Sequence, residues 1–230
     1  VTADAVPAGA AAAVTPDPAT ADPATADPAS TGAAAAGAPD TSDAWLVVVD
    51  MQHVFTGDSP WAAPRFAVAS AAIGRLLPRF RGRTVLTRFV APERPTGAWV
   101  PYYRDWPFAL VPDADPLYAL TEPFATLAAD GAPVVTLPTF GKWGTSLQAV
   151  TDTMPETRTD AEAEPQRPHL VLTGVSTDCC VLSTALAAAD AGVRVTVVAE
   201  ACAGASDADH ARALDAMRLY APLVTVVDTV

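Results

Sequence analysis

The chain has 230 residues, half of them hydrophobic, and a formal net charge of -12. That length supports one sizeable core, and so few cations argue against nucleic-acid backbones or anionic membrane surfaces as partners. Three cysteines, two of them adjacent, make no disulfide framework and fit a reducing, cytoplasmic setting.

Residues 1–43 read as a disordered tail, built almost wholly of Ala, Pro, Thr, Asp, Gly and Ser with ATADP repeated. Such a segment has no large side chains to offset the entropy of ordering. It lacks the basic start of a secretory signal, and no apolar run in the chain reaches membrane-spanning length. A single domain is expected over 44–230.

AWLVVVD (44–50) opens that domain as a continuous apolar run ending on an acid. The pattern suits a parallel strand buried on both faces. Similar runs follow at 83–90, 132–137, 169–175, 193–199 and 223–229. Helical spacing falls between them at 66–80, with Pro78 expected to end or kink the helix, and again at 177–192 and 207–221. Alternating strands and helices argue a three-layer α/β/α domain around a parallel sheet, Rossmann-like in type.

Two stretches break the rhythm. Residues 91–116, rich in Pro and aromatics, read as a long irregular loop facing a substrate. Trp99, Tyr102, Tyr103 and Trp106 either wall a small-molecule pocket or build a packed loop or dimer interface. Arg88 or Arg104 is the candidate ligand for a substrate carboxylate. Phe55, at the end of VVVDMQHVF, is a further candidate contact. Residues 157–168, polar and acidic, read as a surface insertion.

The chemistry concentrates in GVSTDCCVLSTALAAADAG (174–192). A buried strand ends, a short turn follows, and a helix opens around Cys180. The positive end of a helix favours thiolate over thiol, and its free N–H groups can hold an oxyanion. Asp50 ends the first strand, where packing gives no reason for an acid, and is the candidate proton acceptor. Lys142 is the only lysine and follows the third strand. It is suited to hold that carboxylate and to stabilise the thiolate. All three follow strand carboxyl ends, where doubly wound sheets bind ligands. The three histidines, His53, His169 and His210, show no metal-type spacing.

VVVDMQHVF, the lone lysine and GVSTDCCVLSTALAAADAG together resemble the three signature regions of the isochorismatase-like cysteine hydrolases. The resemblance covers residues 44–230 and implies a six-stranded parallel sheet of order 3-2-1-4-5-6. It also implies an Asp50–Lys142–Cys180 triad. Its Thr-Asp-x-Cys-Val motif sets the nucleophile at Cys180 and leaves Cys179 on the variable position. A cis Val175–Ser176 peptide is implied as well, aiming the Ser176 N–H with that of Cys180 into an oxyanion hole. Alignment on GTSL (144–147) would set the lysine position at Thr136 instead of Lys142. The histidines that bind metal in nicotinamidases have no counterpart, so no metal and no cofactor are expected. A homo-oligomer is expected, as is common in the family. The implied activity is hydrolysis of a C–N bond in a small amide or carbamoyl compound. Vinyl-ether hydrolysis and a catalytically silent binding protein are the alternatives.

Overall fold

The computed structural model describes residues 39–152 and 167–230. Nearly all of the segment read as a tail, and most of the 157–168 insertion, lie outside the described residues.

The apolar runs become six parallel strands: β1 (Trp45–Val49), β2 (Thr84–Phe89), β3 (Val134–Leu137), β4 (His169–Val175), β5 (Arg194–Ala203) and β6 (Val224–Val227). Their spatial order is β3-β2-β1-β4-β5-β6, the order expected. β1 and β4 lie at the centre, with every residue buried, as their unbroken apolar sequences require.

The pleat sends alternate residues of β1 to opposite faces. Leu46 and Val48 join one core, with Ile73 and Leu76 of helix α1 (Phe66–Leu76) and Phe124 of α3 (Phe124–Ala129). Trp45, Val47 and Val49 join the other. That second core holds Leu147 of α4 (Thr145–Thr151), Ala185 and Ala188 of α5 (Leu182–Asp190), and Leu214 and Met217 of α6 (Asp207–Arg218). The result is three layers, α/β/α.

Helix boundaries follow local chemistry. α1 tightens into a 3₁₀ turn over Leu77–Phe80, where Pro78 sits. α5 ends at Gly192, whose φ of 77° closes the helix with Gly192 N–H to Ala189 O at 2.8 Å and Val193 N–H to Ala188 O at 3.0 Å. Ser206 caps α6 by accepting from Asp209 N–H.

The 91–116 segment is not the irregular loop expected. It holds helix α2 (Trp99–Asp105) and a 3₁₀ turn at Pro107–Ala109. Pro101 lies in the first turn of α2, where its missing N–H breaks no helical bond. Burial holds the short helix in place: Tyr103 is almost fully enclosed, and Trp99 meets Tyr102, Tyr103 and Phe140 at ring distances of 5.0 to 5.9 Å.

Candidate active site

β1 and β4 pair as far as Val49 and Gly174, just before the site. At Gly174 (φ +106°) a Cβ atom would fall 2.1 Å from Val49 O, so only glycine fits. Asp50 follows directly, with φ of 50°, the one non-glycine residue at positive φ among the described residues. That conformation is costly for a side-chain-bearing residue and turns the carboxylate out of the strand line.

Asp50 is fully buried. Thr87 of β2 fixes it twice: the Thr87 hydroxyl donates to Oδ1 at 2.6 Å and accepts Asp50 N–H at 3.2 Å. The other oxygen, Oδ2, makes no hydrogen bond but lies 3.0 Å from the ammonium of Lys142. Lys142 is also fully buried. Its Nζ donates to Thr139 O at 2.6 Å and stands 5.2 Å from the centre of the Phe89 ring.

Thr184 of α5 carries the connection on to the cysteine. Its hydroxyl accepts Lys142 N–H at 2.9 Å and donates to Cys180 O at 2.7 Å. The Lys142 loop is thereby pinned to the first turns beyond β4. Thr136, the alternative lysine position, lies within β3 paired with Arg88 and is exposed. The tertiary contact therefore singles out Lys142 as the lysine beside Asp50.

The turn around Cys180 differs from an ordinary helix start. Residues Thr177–Val181 form a widened turn closed by Val181 N–H to Ser176 O at 3.0 Å, five residues back. The Val175–Ser176 peptide is cis. Asp178 Oδ1 accepts from the Ser176 hydroxyl at 3.0 Å and from Ala205 N–H at 2.9 Å. Thr177 hydrogen-bonds His210 Nδ1 at 2.8 Å, which ties the turn to α6.

The thiol does not behave as the helix-end argument expects. Cys180 is held well above the ordinary cysteine value, first by its hydrogen bond to the Cys179 sulfur, then by burial and by the charge of Asp50. The Lys142 charge opposes this without winning. Cys179 moves the other way, lowered mainly by the hydrogen bond it receives from Cys180. Cys180 therefore rests as a thiol, and any reaction must first remove its proton.

A cavity of about 470 Å³ opens over this turn. Ser176, Asp178, Cys179 and Cys180 line its floor; Phe55, Trp61, Phe89, Tyr102, Trp106 and Phe140 line its walls. Burial, and then Cys179 and Cys180, push the Tyr102 phenol up to about 12, so it stays a neutral donor. Of the residues expected to contact substrate, Phe55, Tyr102 and Trp106 do line the cavity. Trp99 and Tyr103 stand behind Tyr102 as packing rings. Arg88 is not among the lining residues; it donates to Asp113 Oδ1 at 2.6 Å and to Tyr118 O at 3.2 Å. Arg104 is exposed on α2.

Sequence reasoning missed Trp61. It meets Phe55, Phe89, Tyr102, Trp106 and Phe108 at ring distances of 5.0 to 6.4 Å and organises the wall. The only local signal was a tryptophan between Pro60 and Pro64 soon after Asp50. Gln52 was missed as well. Its amide donates to Phe89 O at 3.0 Å and Tyr118 O at 2.7 Å, and accepts Phe89 N–H at 2.7 Å. These bonds fasten the segment after β1 to the end of β2. Among the described residues, no group of three His, Cys, Asp or Glu side chains is placed to hold a metal ion.

With this geometry in view, the family model of the isochorismatase domain matches residues 44–229. A curated relative, isochorismatase domain-containing protein 2 of Xenopus laevis, is 37% identical over 76 residues, 33% of this chain and 37% of that protein. The matched stretch thus spans well under half the length of that relative. Among solved structures, a cysteine hydrolase from Pseudomonas syringae pv. phaseolicola superposes with TM-score 0.66 at 18% identity, covering 82% of this chain and 89% of the other. A pyrazinamidase/nicotinamidase from Streptococcus mutans superposes with TM-score 0.60 at 22% identity, covering 79% and 98%. At such identities the two structures speak for the fold.

Proposed function

The chain belongs to the isochorismatase family by the domain at residues 44–229, and from that premise we propose that it hydrolyses the C–N bond of a small amide or carbamoyl compound through a Cys180 thioester. The observation that carries the reading is the buried Asp50 carboxylate, whose Oδ2 has the Lys142 ammonium at 3.0 Å and no hydrogen bond from any other group. Such a carboxylate, electrostatically coupled to a neutral cysteine thiol, is equipped to accept that thiol's proton.

In this mechanism Asp50 Oδ2 takes the Cys180 proton as sulfur attacks the carbonyl carbon. The Ser176 and Cys180 N–H groups hold the oxyanion. Collapse breaks the C–N bond, and the departing nitrogen takes the proton from Asp50. Water then gives a proton to Asp50 and attacks the thioester. Sulfur leaves and recovers that proton, releasing the acid. Lys142 fixes Asp50 throughout and balances its charge. Phe55, Tyr102 and Trp106 pack against the substrate.

The test is ammonia or amine release from a panel of amides and N-carbamoyl compounds. Wild type and Cys179→Ala should turn over the same members of the panel. Cys180→Ala should be inactive, and Asp50→Asn should lose about 10²–10⁴-fold, the usual worth of a positioned base. Turnover that survives in Cys180→Ala would sink the thioester route, and a wild type that releases nothing from any member of the panel would sink the C–N reading.

A further inference from the structure

Charge is distributed over the cavity in one direction only. Among the described residues that line it, the acid Asp178 alone is charged. Two cations of the surrounding elements are already engaged: Lys142 with Asp50 at 3.0 Å and Arg88 with Asp113 at 2.6 Å. Asp178 has no ion-pair partner among the described residues, although its Oδ1 is hydrogen-bonded. The histidine that senses it, His210, is lowered by burial and then by Arg65, which leaves it neutral near pH 7. The rest of the wall is aromatic, and an aromatic face presents negative potential to a cation. The chain's net charge of -12 adds a field of the same sign.

We propose that this cavity takes a substrate whose body is a compact organic cation, an alkylated ammonium carried on the scissile amide or carbamoyl compound, and that it turns away carboxylates. The proposal rests on the hydrolase reading for the reacting group and goes beyond it for the rest of the molecule. A neutral ligand would cover Asp178 with apolar surface and strip its water without offering a partner, which is unfavourable. An anion would meet the Asp178 carboxylate and aromatic faces, with no cation among the described lining residues to receive it. An alkylated ammonium satisfies both features at once, since its methyl groups pack on rings while its charge faces the acid.

The experiment measures binding and needs no turnover. Trp61 and Trp106 line the cavity, so ligand entry is read by tryptophan fluorescence, with calorimetry as a second readout. The protein is the full-length Cys180→Ala variant, and the probes are choline, its uncharged isostere 3,3-dimethylbutan-1-ol, and 3,3-dimethylbutanoate. Choline should bind about tenfold or more tighter than the alcohol, the size of a desolvated cation–π contribution. The carboxylate should not bind. Asp178→Asn keeps the Oδ1 acceptor and should weaken choline several-fold while leaving the alcohol unchanged. Equal binding of choline and alcohol, preference for the carboxylate, or no binding of choline overturns the proposal. Because the readout is independent of catalysis, these outcomes leave the C–N hydrolase reading to its own test. Conversely, an inactive wild type that still prefers choline would sink only that reading.

Discussion

The buried Asp50–Lys142 pair makes a quantitative prediction about stability. Both side chains are fully enclosed and their charges lie 3.0 Å apart. Replacing Lys142 by Met leaves Asp50 charged and unmatched in the interior and orphans Thr139 O, which Nζ now serves at 2.6 Å. Breaking a buried pair in this way costs about 3–5 kcal/mol. Against a total of about 5–15 kcal/mol for an ordinary domain, that is a large fraction. At about 2–4 °C per kcal/mol for a domain of this size, the melting temperature should fall by about 6–20 °C. Asp50→Asn should cost a similar amount, because it strands the ammonium. The double variant Asp50→Asn/Lys142→Met removes both charges and should be far milder than the sum, since a buried pair replaced as a unit is often neutral. Urea unfolding of the four proteins gives the coupling energy, expected at about 3 kcal/mol or more because the double variant should cost no more than either single one. Additivity within about 0.5 kcal/mol would refute the reasoning, for it would mean that the two groups do not depend on each other.

Three further predictions follow from single residues. Cys180 should alkylate with iodoacetamide only as pH rises above the free-cysteine value of about 8.5, and Cys179→Ala should lower that midpoint by removing the main cause of the shift; peptide mapping by mass spectrometry separates the two thiols, and a Cys180 midpoint below neutrality would reverse our account of its resting state. Gly174→Ala should cost more than about 3 kcal/mol or prevent folding, since its Cβ would meet Val49 O at 2.1 Å at a φ of +106°; a urea midpoint near wild type would mean that β1 and β4 are not so close. His169 is lowered to about 4 by burial and then by Arg194. The unfolded chain therefore binds a proton there first, so stability is complete above about pH 6.5 and is lost as pH falls toward about 4; His169→Gln should flatten that part of the melting-temperature profile, and an unchanged slope would remove His169 as its source.

The strands were legible because burial on both faces of a parallel sheet leaves continuous apolar runs with little else to mimic them. Even so, β5 continues to Ala203, beyond the run at 193–199, because its pairing with β4 shifts register between Leu172 and Gly174. The short helices were less visible. α2, α3 and α4 have 7, 6 and 7 residues, too few for a helical period to stand out. α2 also carries Pro101, which reads locally as a breaker and is harmless only because of its place in the first turn. Asp50, Lys142 and Cys180 drew notice as residue types out of place at strand ends. The ion pair of Arg88 with Asp113 was not legible, because it joins segments apart in the chain. Trp61 was silent for the same reason: its neighbours come from segments far along the chain.

The state of Cys180 shows where a local rule gives way to its surroundings. A helix N-terminus offers about half a unit of positive charge, spread over several N–H groups. Here the first turn is widened, the sulfur is enclosed, and the Asp50 carboxylate supplies a whole negative charge from nearby. The hydrogen bond to the Cys179 sulfur, burial and then the Asp50 charge together outweigh that dispersed half charge, so the proton stays on sulfur. Lys142 does not rescue the thiolate, because its ammonium is held against Asp50 and Thr139. The same arrangement leaves Asp50 Oδ2 with the Lys142 ammonium at 3.0 Å and no other donor. An acid so placed disfavours a resting thiolate but has a further lone pair to accept a proton if sulfur begins to bond elsewhere. In the proposed mechanism Cys180 is then guarded in the free protein and activated only as its sulfur attacks, as general-base catalysis by Asp50 requires.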